Sequence, residues 1–511
     1  MKKFVVLSLM SFLILAFGAT VYGQEKAPVL EFKASGFIDA QTITFRNVSG
    51  GNPASGIYGI PGTITFAPTG RAIGQLDHTS SYMESRARLK FDAIMGKEVS
   101  GTFLFEMDSS TWGDTPGGFA GKISERNSMG FWSGDRAAFE IKNVYIDFGV
   151  PVIPVPTTVR VGLQTLGLRP GLLLLTDGMG ISAGFKADPV LIAPFWGRPY
   201  EGGVASADDA NVYGLHANAK ISTLTIGGYG MFYDMNTYPF FVPTTANVVG
   251  TAGNFTLAAV VPGSNRAEFL WLGAYADGKL GPVNLNFDFI YDDGKVEDRA
   301  EPIFRDVDYS GWMARLNVSF PWEKFLFGVA GAYGTGADKN DTDATGLPGG
   351  TNSDVDSFVV PPGSESAAAF GESVVFFSTF VNRGDSGIAT RINYNSVSPG
   401  AFGGVWYAKA YAAMQVMPTW KLTFMGLYIG DTTDNGDTFG SSREVTGALK
   451  DKDNIGIELS MISEHQIYKN LKFSWAGGYL AAGDALKYWN GFENKDPKDP
   501  WIITTNLTYS F

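Results

Sequence analysis

The sequence contains no cysteine. That excludes disulfides, thiolate metal sites, a thiol nucleophile and covalent attachment of c-type haem. Histidine is almost as scarce. His78, His216 and His465 are the three in 511 residues, and metal or acid–base centres need such residues in clusters. Charged residues make up only 18% of the chain, and the formal net charge is −12. That balance argues against a nucleic-acid partner, which requires a basic face. Beyond the first twenty or so residues there is no long apolar run. A helical membrane protein needs runs of about 18 or more apolar residues, and the mean hydropathy here is +0.01.

The single apolar run has a different meaning. Met1-Lys2-Lys3 gives a positive start, Phe4 to Ala19 is apolar, and Val21-Tyr22-Gly23 places small or modest residues where a signal peptidase cuts. This pattern reads as a secretory signal over 1–23, removed to leave a mature chain of 24–511. No cysteine follows it, so the lipoprotein route is closed.

What the chain has in excess is glycine, 64 residues, against about 7% in average proteins. Aromatics reach 14%. No domain boundary interrupts 24–511. Short alternating segments fall at 29–46, 80–95, 98–108, 137–150, 157–166, 179–187, 189–196, 210–221, 222–234, 267–280, 282–292, 307–320, 323–334, 404–417, 419–430, 453–467, 470–482 and 501–511. Tight connections such as Gly96-Lys97-Glu98 and Met417-Pro418-Thr419 alternate with long polar ones at 47–79, 109–136, 235–266, 335–403, 431–452 and 483–500. The expectation is an all-β fold: a single transmembrane antiparallel β-barrel of about 18 strands, with 16 as the alternative. Its short turns and both termini face the periplasm and its long loops face outward.

The segments are two-faced. Met83, Leu89, Phe91, Ala93 and Met95 share one face of their strand, and Glu84, Arg86, Arg88, Lys90 and Asp92 share the other. Val283, Leu285, Phe287 and Phe289 stand opposite Asn284, Asn286 and Asp288. Such charges need water, which a polar lumen provides. In strand 137–150, Glu140 and Lys142 fall in phase with Val144, Ile146 and Phe148, and that misfit predicts a β-bulge. In the first tight hairpin, pairing Met95 with Val99 sets Arg88 against Glu106, Arg86 against Asp108 and Lys90 against Leu104. Pairing Met95 with Glu98 would oppose lumen and lipid residues, so that register is excluded.

The chain ends in WIITTNLTYSF, with Ile503, Thr505, Leu507, Tyr509 and Phe511 on one face. This strand resembles the C-terminal recognition signal that the barrel-assembly machinery reads in bacterial outer-membrane proteins, which makes Tyr509 and Phe511 the assembly signal. The preceding stretch NIGIELSMISEHQIYKNLKFSWAGGYLAAGD resembles the penultimate hairpin of porins of the alginate-export and phosphate-porin type. The likeness covers roughly the last sixty residues and is architectural elsewhere, so it implies an outer-membrane porin without naming a solute.

Motifs that suggest chemistry have bland readings. Gly180-Ile181-Ser182-Ala183-Gly184 matches a G-x-S-x-G elbow, but a nucleophile elbow needs a strand before it and a helix after it, and here a strand follows. The acidic stretch 338–346 lacks the regular spacing of a calcium loop and reads as a solvated loop tip. No catalytic residue, metal ligand or cofactor site is assigned. The pore lining is assigned to Arg86, Arg88, Lys90, Glu106, Asp108, Arg160, Asn286, Asp288, Arg315, Lys409 and Glu458. The Arg86/Arg88/Lys90 ladder is either one side of a charged constriction or a salt-bridged wall. Two segments stand out as candidates to fold inward: TLGLRPGLLLLTDG at 165–178, whose leucines otherwise top a strand against lipid, and 335–404, which contains AAAFGESVVFFSTF and suits a plug or lid.

The expected function is therefore passive diffusion of small hydrophilic solutes or ions across the outer membrane. The expected partners are its lipid and lipopolysaccharide, the barrel-assembly machinery and the solutes, with a homotrimer left open. The alternatives are a substrate-specific channel, a sheath around a multihaem cytochrome, and a barrel whose loops bind a surface partner.

Overall fold

The computed structural model describes residues 29–47, 79–113, 128–129, 139–202, 206–240, 265–298, 306–337, 354–365, 372–378, 394–433, 452–489, 492–493 and 498–511. The signal segment, His78, the acidic stretch 338–346 and most of 431–452 lie outside the described residues.

Eighteen antiparallel strands form a sheet closed on itself. They are β1 (Leu30–Arg46), β2 (Thr79–Met95), β3 (Val99–Trp112), β4 (Glu140–Gly149), β5 (Thr157–Leu168), β6 (Leu174–Ala187), β7 (Val190–Tyr200), β8 (Ala210–Ile221), β9 (Leu224–Tyr238), β10 (Asn265–Leu280), β11 (Val283–Asp298), β12 (Val307–Trp322), β13 (Phe325–Gly334), β14 (Val405–Met417), β15 (Trp420–Asp431), β16 (Asn454–Tyr468), β17 (Leu471–Ala482) and β18 (Trp501–Ser510). Each strand pairs with the next, and β1 pairs with both β2 and β18. The seam runs from Phe37 opposite Ser510 to Arg46 opposite Trp501. Gly36 N and Phe511 N then each donate to the other's carbonyl, at 2.9 and 3.0 Å. Closure leaves no free edge, which is what a sheet in hydrocarbon requires.

Period-two alternation produces this wall. Phe91, Phe103, Ile146, Leu215, Leu272, Leu316, Val329 and Leu459 project outward and are exposed. Two aromatic belts bound that apolar band. Phe32, Trp322, Tyr468 and Tyr509 stand at the end with the tight turns, and Trp112, Trp312, Tyr333 and Tyr428 stand toward the other. The bulge foreseen in β4 is present: Asn143 faces Leu104 but Ile141 faces Phe105, so Lys142 is the extra residue. It resets the phase, leaving Ile141 exposed outward while Glu140 faces Glu106.

The β2–β3 hairpin pairs Met95 with Val99, Lys90 with Leu104 and Arg88 with Glu106, as the face argument requires. The register then slips between Ser85 and Ala87 because β3 carries an extra residue. Arg86 therefore does not sit squarely against Asp108, and its Nε lies 3.4 Å from Glu106 Oε1 instead.

Two expectations about the connections need correction. The short/long alternation is not strict, because only residues 169–173 separate β5 from β6 at the long-loop end. The assignment of 335–403 to the outside also fails for its described parts. Phe358, Val359, Val360, Val374, Phe376 and Phe377 are almost completely buried inside the barrel. An apolar run inserted among polar loops gains its burial free energy, about 25 cal/mol per Å2, only by turning inward.

Removing Phe511 deletes the last cross-seam hydrogen bonds to Gly36. The expected outcome is less heat-modifiable barrel in the outer membrane and more periplasmic degradation, read by gel mobility of membrane fractions. Unchanged assembly would count against any role for this residue in closure.

Candidate functional site: a charged interior crossed by inward segments

The inner face of β2 to β6 carries a shared-charge network. Arg88 grips Glu106 through Nε at 2.8 Å and Nη2 at 3.2 Å. Lys142, placed by the β4 bulge, lies 3.3 Å from the same carboxylate and 2.6 Å from Asp177. One buried acid thus holds Arg86, Arg88 and Lys142. Lys90, which the register sets against Leu104, has its Nζ 2.9 Å from Asp92. It remains the most exposed rung: the side chains of Arg86, Arg88 and Lys90 are 20%, 30% and 39% exposed. Arg160 forks onto Asp147 at 2.7 and 2.9 Å and lies over the Tyr145 ring at 3.9 Å. Asp108 lies in β3, and its side chain is outside the described residues.

The other interior residues assigned from sequence are covered. Arg169, in the link between β5 and β6, reaches Asp288 at 2.5 Å and Asp277 at 2.6 Å and lies 4.1 Å from the Tyr275 ring centre. The link is therefore folded inward, and Leu172, Leu173 and Leu174 are buried rather than set against lipid. Asn286 is bonded by Arg315, and it bonds Asp277 in turn.

The long segment between β13 and β14 is held at several walls. Ser364 Oγ donates to Leu173 O at 2.8 Å and accepts from Leu175 N at 3.3 Å, joining the two inward segments. Val359 N donates to Asp292 of β11 at 3.2 Å, and Val359 O accepts from Trp271 Nε1 of β10 at 2.8 Å. Glu372 bonds Arg315 Nε at 2.6 Å and Lys409 Nζ at 3.1 Å. Phe377 then packs against Phe402 and Tyr407, with ring centroids 5.7 and 5.2 Å away.

The tightest anchor is Glu458 of β16, which is fully buried. Its Oε1 accepts from Val374 N and Val375 N, each at 2.9 Å, and from Ser460 Oγ at 2.5 Å. Its Oε2 accepts from Ser373 Oγ at 2.8 Å and Phe376 N at 2.9 Å. A turn of backbone is thereby wrapped around one carboxylate. Gly478 on the neighbouring strand makes room for it: a Cβ there would stand 2.8 Å from Val375 Cγ2 and 2.9 Å from Val374 Cβ. Gly311 admits the chain in the same way, since its Cβ would meet Ser357 O at 2.4 Å.

Sequence reasoning placed Glu458, Asp288 and Lys409 on the inner face but missed that inward segments cover them. It also missed Arg169, Glu372, Lys142, Asp177 and Asp147. Lys142 was signalled by the bulge, and Glu372 lies inside the apolar stretch already singled out. The Ser182 hydroxyl donates to Gln164 Oε1 at 2.7 Å from within a strand. His216 and His465 lie apart on β8 and β16.

No protein-family model and no curated protein matches this sequence. Solved structures similar to it include OccK8 (OprE) of Pseudomonas aeruginosa, at 10% identity and a TM-score of 0.49. A BenF-like porin from Pseudomonas fluorescens Pf-5 is also similar, at 12% identity and a TM-score of 0.49. Each alignment covers 94% of this chain and 98% of the other.

Two predictions follow from the anchors. Glu458→Gln replaces an acceptor by a donor beneath buried N–H groups, each of which costs about 1–3 kcal/mol when left unpaired. It is expected to release 372–378, raising single-channel conductance and exposing that turn to protease. Gly478→Val should act in the same direction by steric pressure alone. The second concerns pH. Burial pushes the Glu372 carboxyl up, but the Lys409 ammonium and Arg315 guanidinium pull it further down, to a net value below its ordinary 4.5. A depressed pKa stabilises the seated segment above 4.5, and that contribution is lost as pH falls through the lower, folded-state value. Conductance should be flat from about pH 7 to 5 and rise only once pH falls below the ordinary carboxylate range, and Glu372→Gln should abolish that step.

Proposed function

We propose that this chain is an outer-membrane porin passing small hydrophilic solutes or ions by passive diffusion, after removal of a signal at 1–23. One observation carries the reading. A closed barrel with an apolar, aromatic-belted exterior encloses a charged interior narrowed by its own folded segments. The exposure of interior side chains suggests the route. Asp288, Asp292 and Glu458, under the inward segments, are fully buried, whereas the rungs Arg88 and Lys90 and the Arg160–Asp147 pair keep between 22% and 39% of their side-chain surface exposed. Solutes then move along the β2 to β5 side of the lumen, past Arg86, Arg88, Lys90 and Arg160. Assembly proceeds through the barrel-assembly machinery, with lipopolysaccharide at the long-loop end. Kinship with alginate-export and phosphate porins rests on the C-terminal hairpin alone.

The reading makes the protein a channel and not a catalyst, since the G-x-S-x-G stretch lies along β6 with no helix after it. A cytochrome sheath is disfavoured because the described parts of 335–404 occupy the space a partner would need. A substrate-specific channel stays the second reading, favoured by the narrowing.

Purified protein in planar bilayers should conduct alone, without haem. Because Lys90 is the most exposed rung and Arg88 is clamped to Glu106, Lys90→Gln should shift the reversal potential more than Arg88→Gln. The difference should shrink as salt rises, since the Debye length falls from about 10 Å at 0.1 M to about 3 Å at 1 M. Absence of conductance would refute the channel reading.

A further inference from the structure

Away from the anchors of the long segment, the inner wall of β5 to β8 is hollowed by a cavity of about 300 Å3. That is the lower end of the size range of small-molecule sites. Arg160, Gln164, Ser182, Phe195 and His216 line it, with Thr158 also on its boundary. The polar groups are held in fixed positions. Gln164 donates to Gly180 O at 2.8 Å and accepts from Ser182 Oγ at 2.7 Å. His216 Nε2 lies 2.8 Å from the Tyr275 hydroxyl, with the two rings stacked at 5.6 Å between centroids. Tyr275 in turn lies beneath Arg169, so the back of the alcove is tied to the inward β5–β6 link.

The charge pattern narrows the occupant. The one guanidinium in the alcove is matched by the Asp147 carboxylate, which forks onto it. An anion meets that carboxylate and a cation meets that guanidinium, so neither sign gains a net Coulomb attraction. An uncharged molecule with several hydroxyls suffers neither penalty. Bonding capacity is left over for it: Arg160 Nη1 has no partner among the described residues, the Ser182 hydroxyl still has acceptor capacity, and the Thr158 hydroxyl is exposed. Phe195 offers a ring face to its C–H groups; it packs against the apolar core and fills the space over Gly214, whose Cβ would stand 2.0 Å from Phe195 Cε1.

We propose that this alcove is a binding subsite for an uncharged, polyhydroxylated solute of monosaccharide size, set in the wall beside the passage. The assignment rests on the channel reading for its biological use but not for its chemistry. A solute held there leaves the bulk flow and is retained beside the passage.

The test uses the full-length protein in detergent micelles and saturation-transfer NMR, with glucose as probe and gluconate and glucosamine as charged counterparts of similar size. Glucose should bind saturably, and each charged probe about tenfold more weakly or worse. Ser182→Ala and Phe195→Leu should each weaken glucose binding about tenfold, the scale of one lost contact in a recognition site, with gel heat-modifiability as the check on folding. Thr158→Val, at an exposed hydroxyl with no structural bond of its own, serves if either of those variants fails to fold and should also weaken binding. No saturable glucose binding, tighter binding of either charged probe, or indifference to every folded variant overturns the proposal. Bilayer conductance measured on the same preparation separates the two ideas. Glucose binding without conductance rejects the channel and keeps the alcove, whereas conductance without glucose binding rejects the alcove and keeps the channel.

Discussion

Everything in this molecule follows from pairing its last strand with its first. A sheet whose outer face is apolar cannot leave backbone N–H and C=O groups unpaired in hydrocarbon, where each costs several kcal/mol. The β1–β18 seam satisfies them, and the Gly36–Phe511 exchange carries the pairing to the last residue. Closure then creates a second problem on the inside. An interior this wide is either filled with water or filled with chain, and the chain that enters brings polar backbone with it.

The wall carboxylates answer that problem. Val374, Val375 and Phe376 enter as an apolar turn, and their amides find Glu458. Val359 finds Asp292. A buried carboxylate is costly to desolvate and holds its charge only with dense hydrogen bonding. The inserted backbone supplies that bonding, so the acid and the segment each require the other. The same logic runs at Glu372, where the segment brings the acid and the wall brings Arg315 and Lys409. Apolar packing of Phe377 on Phe402 and Tyr407 adds area, but the hydrogen bonds set where the segment sits, because they are directional and the packing is not.

The barrel was legible because period-two alternation is a property of consecutive residues. It placed Arg88 opposite Glu106 and even exposed the β4 bulge as a break in phase. Strand ends were less legible. β9 and β11 run to Tyr238 and Asp298, past the point where their sequences stop alternating cleanly, because Met235, Tyr238 and Val296 near those ends pack into the buried apolar cluster inside the barrel. The inward segments were legible only as oddities of composition. Glu458 reads from sequence as one more polar residue on the inner face, since its partners are backbone amides that leave no trace in residue identity. Arg169 was overshadowed by the leucines after it, yet it is the arginine that fastens that link to Asp277 and Asp288.

The two kinds of interior have different physical consequences. Where chain has entered, charges are buried and consumed in holding it. Where water remains, beside β2 to β5, charges are paired but kept partly wet, and one acid, Glu106, is shared among Arg86, Arg88 and Lys142. Further acids complete the pairing: Asp92 meets Lys90, Asp177 meets Lys142, and Asp39 accepts from the Arg86 amide. That wall therefore holds its cations in a mesh of shared acids, and Asp147 answers Arg160 one to one beside it. On the proposed channel reading, a solute passing this wall would meet charges of both signs in fixed positions rather than a field of one sign. Selection by such a wall would come from the placement of its ion pairs, without any moving part.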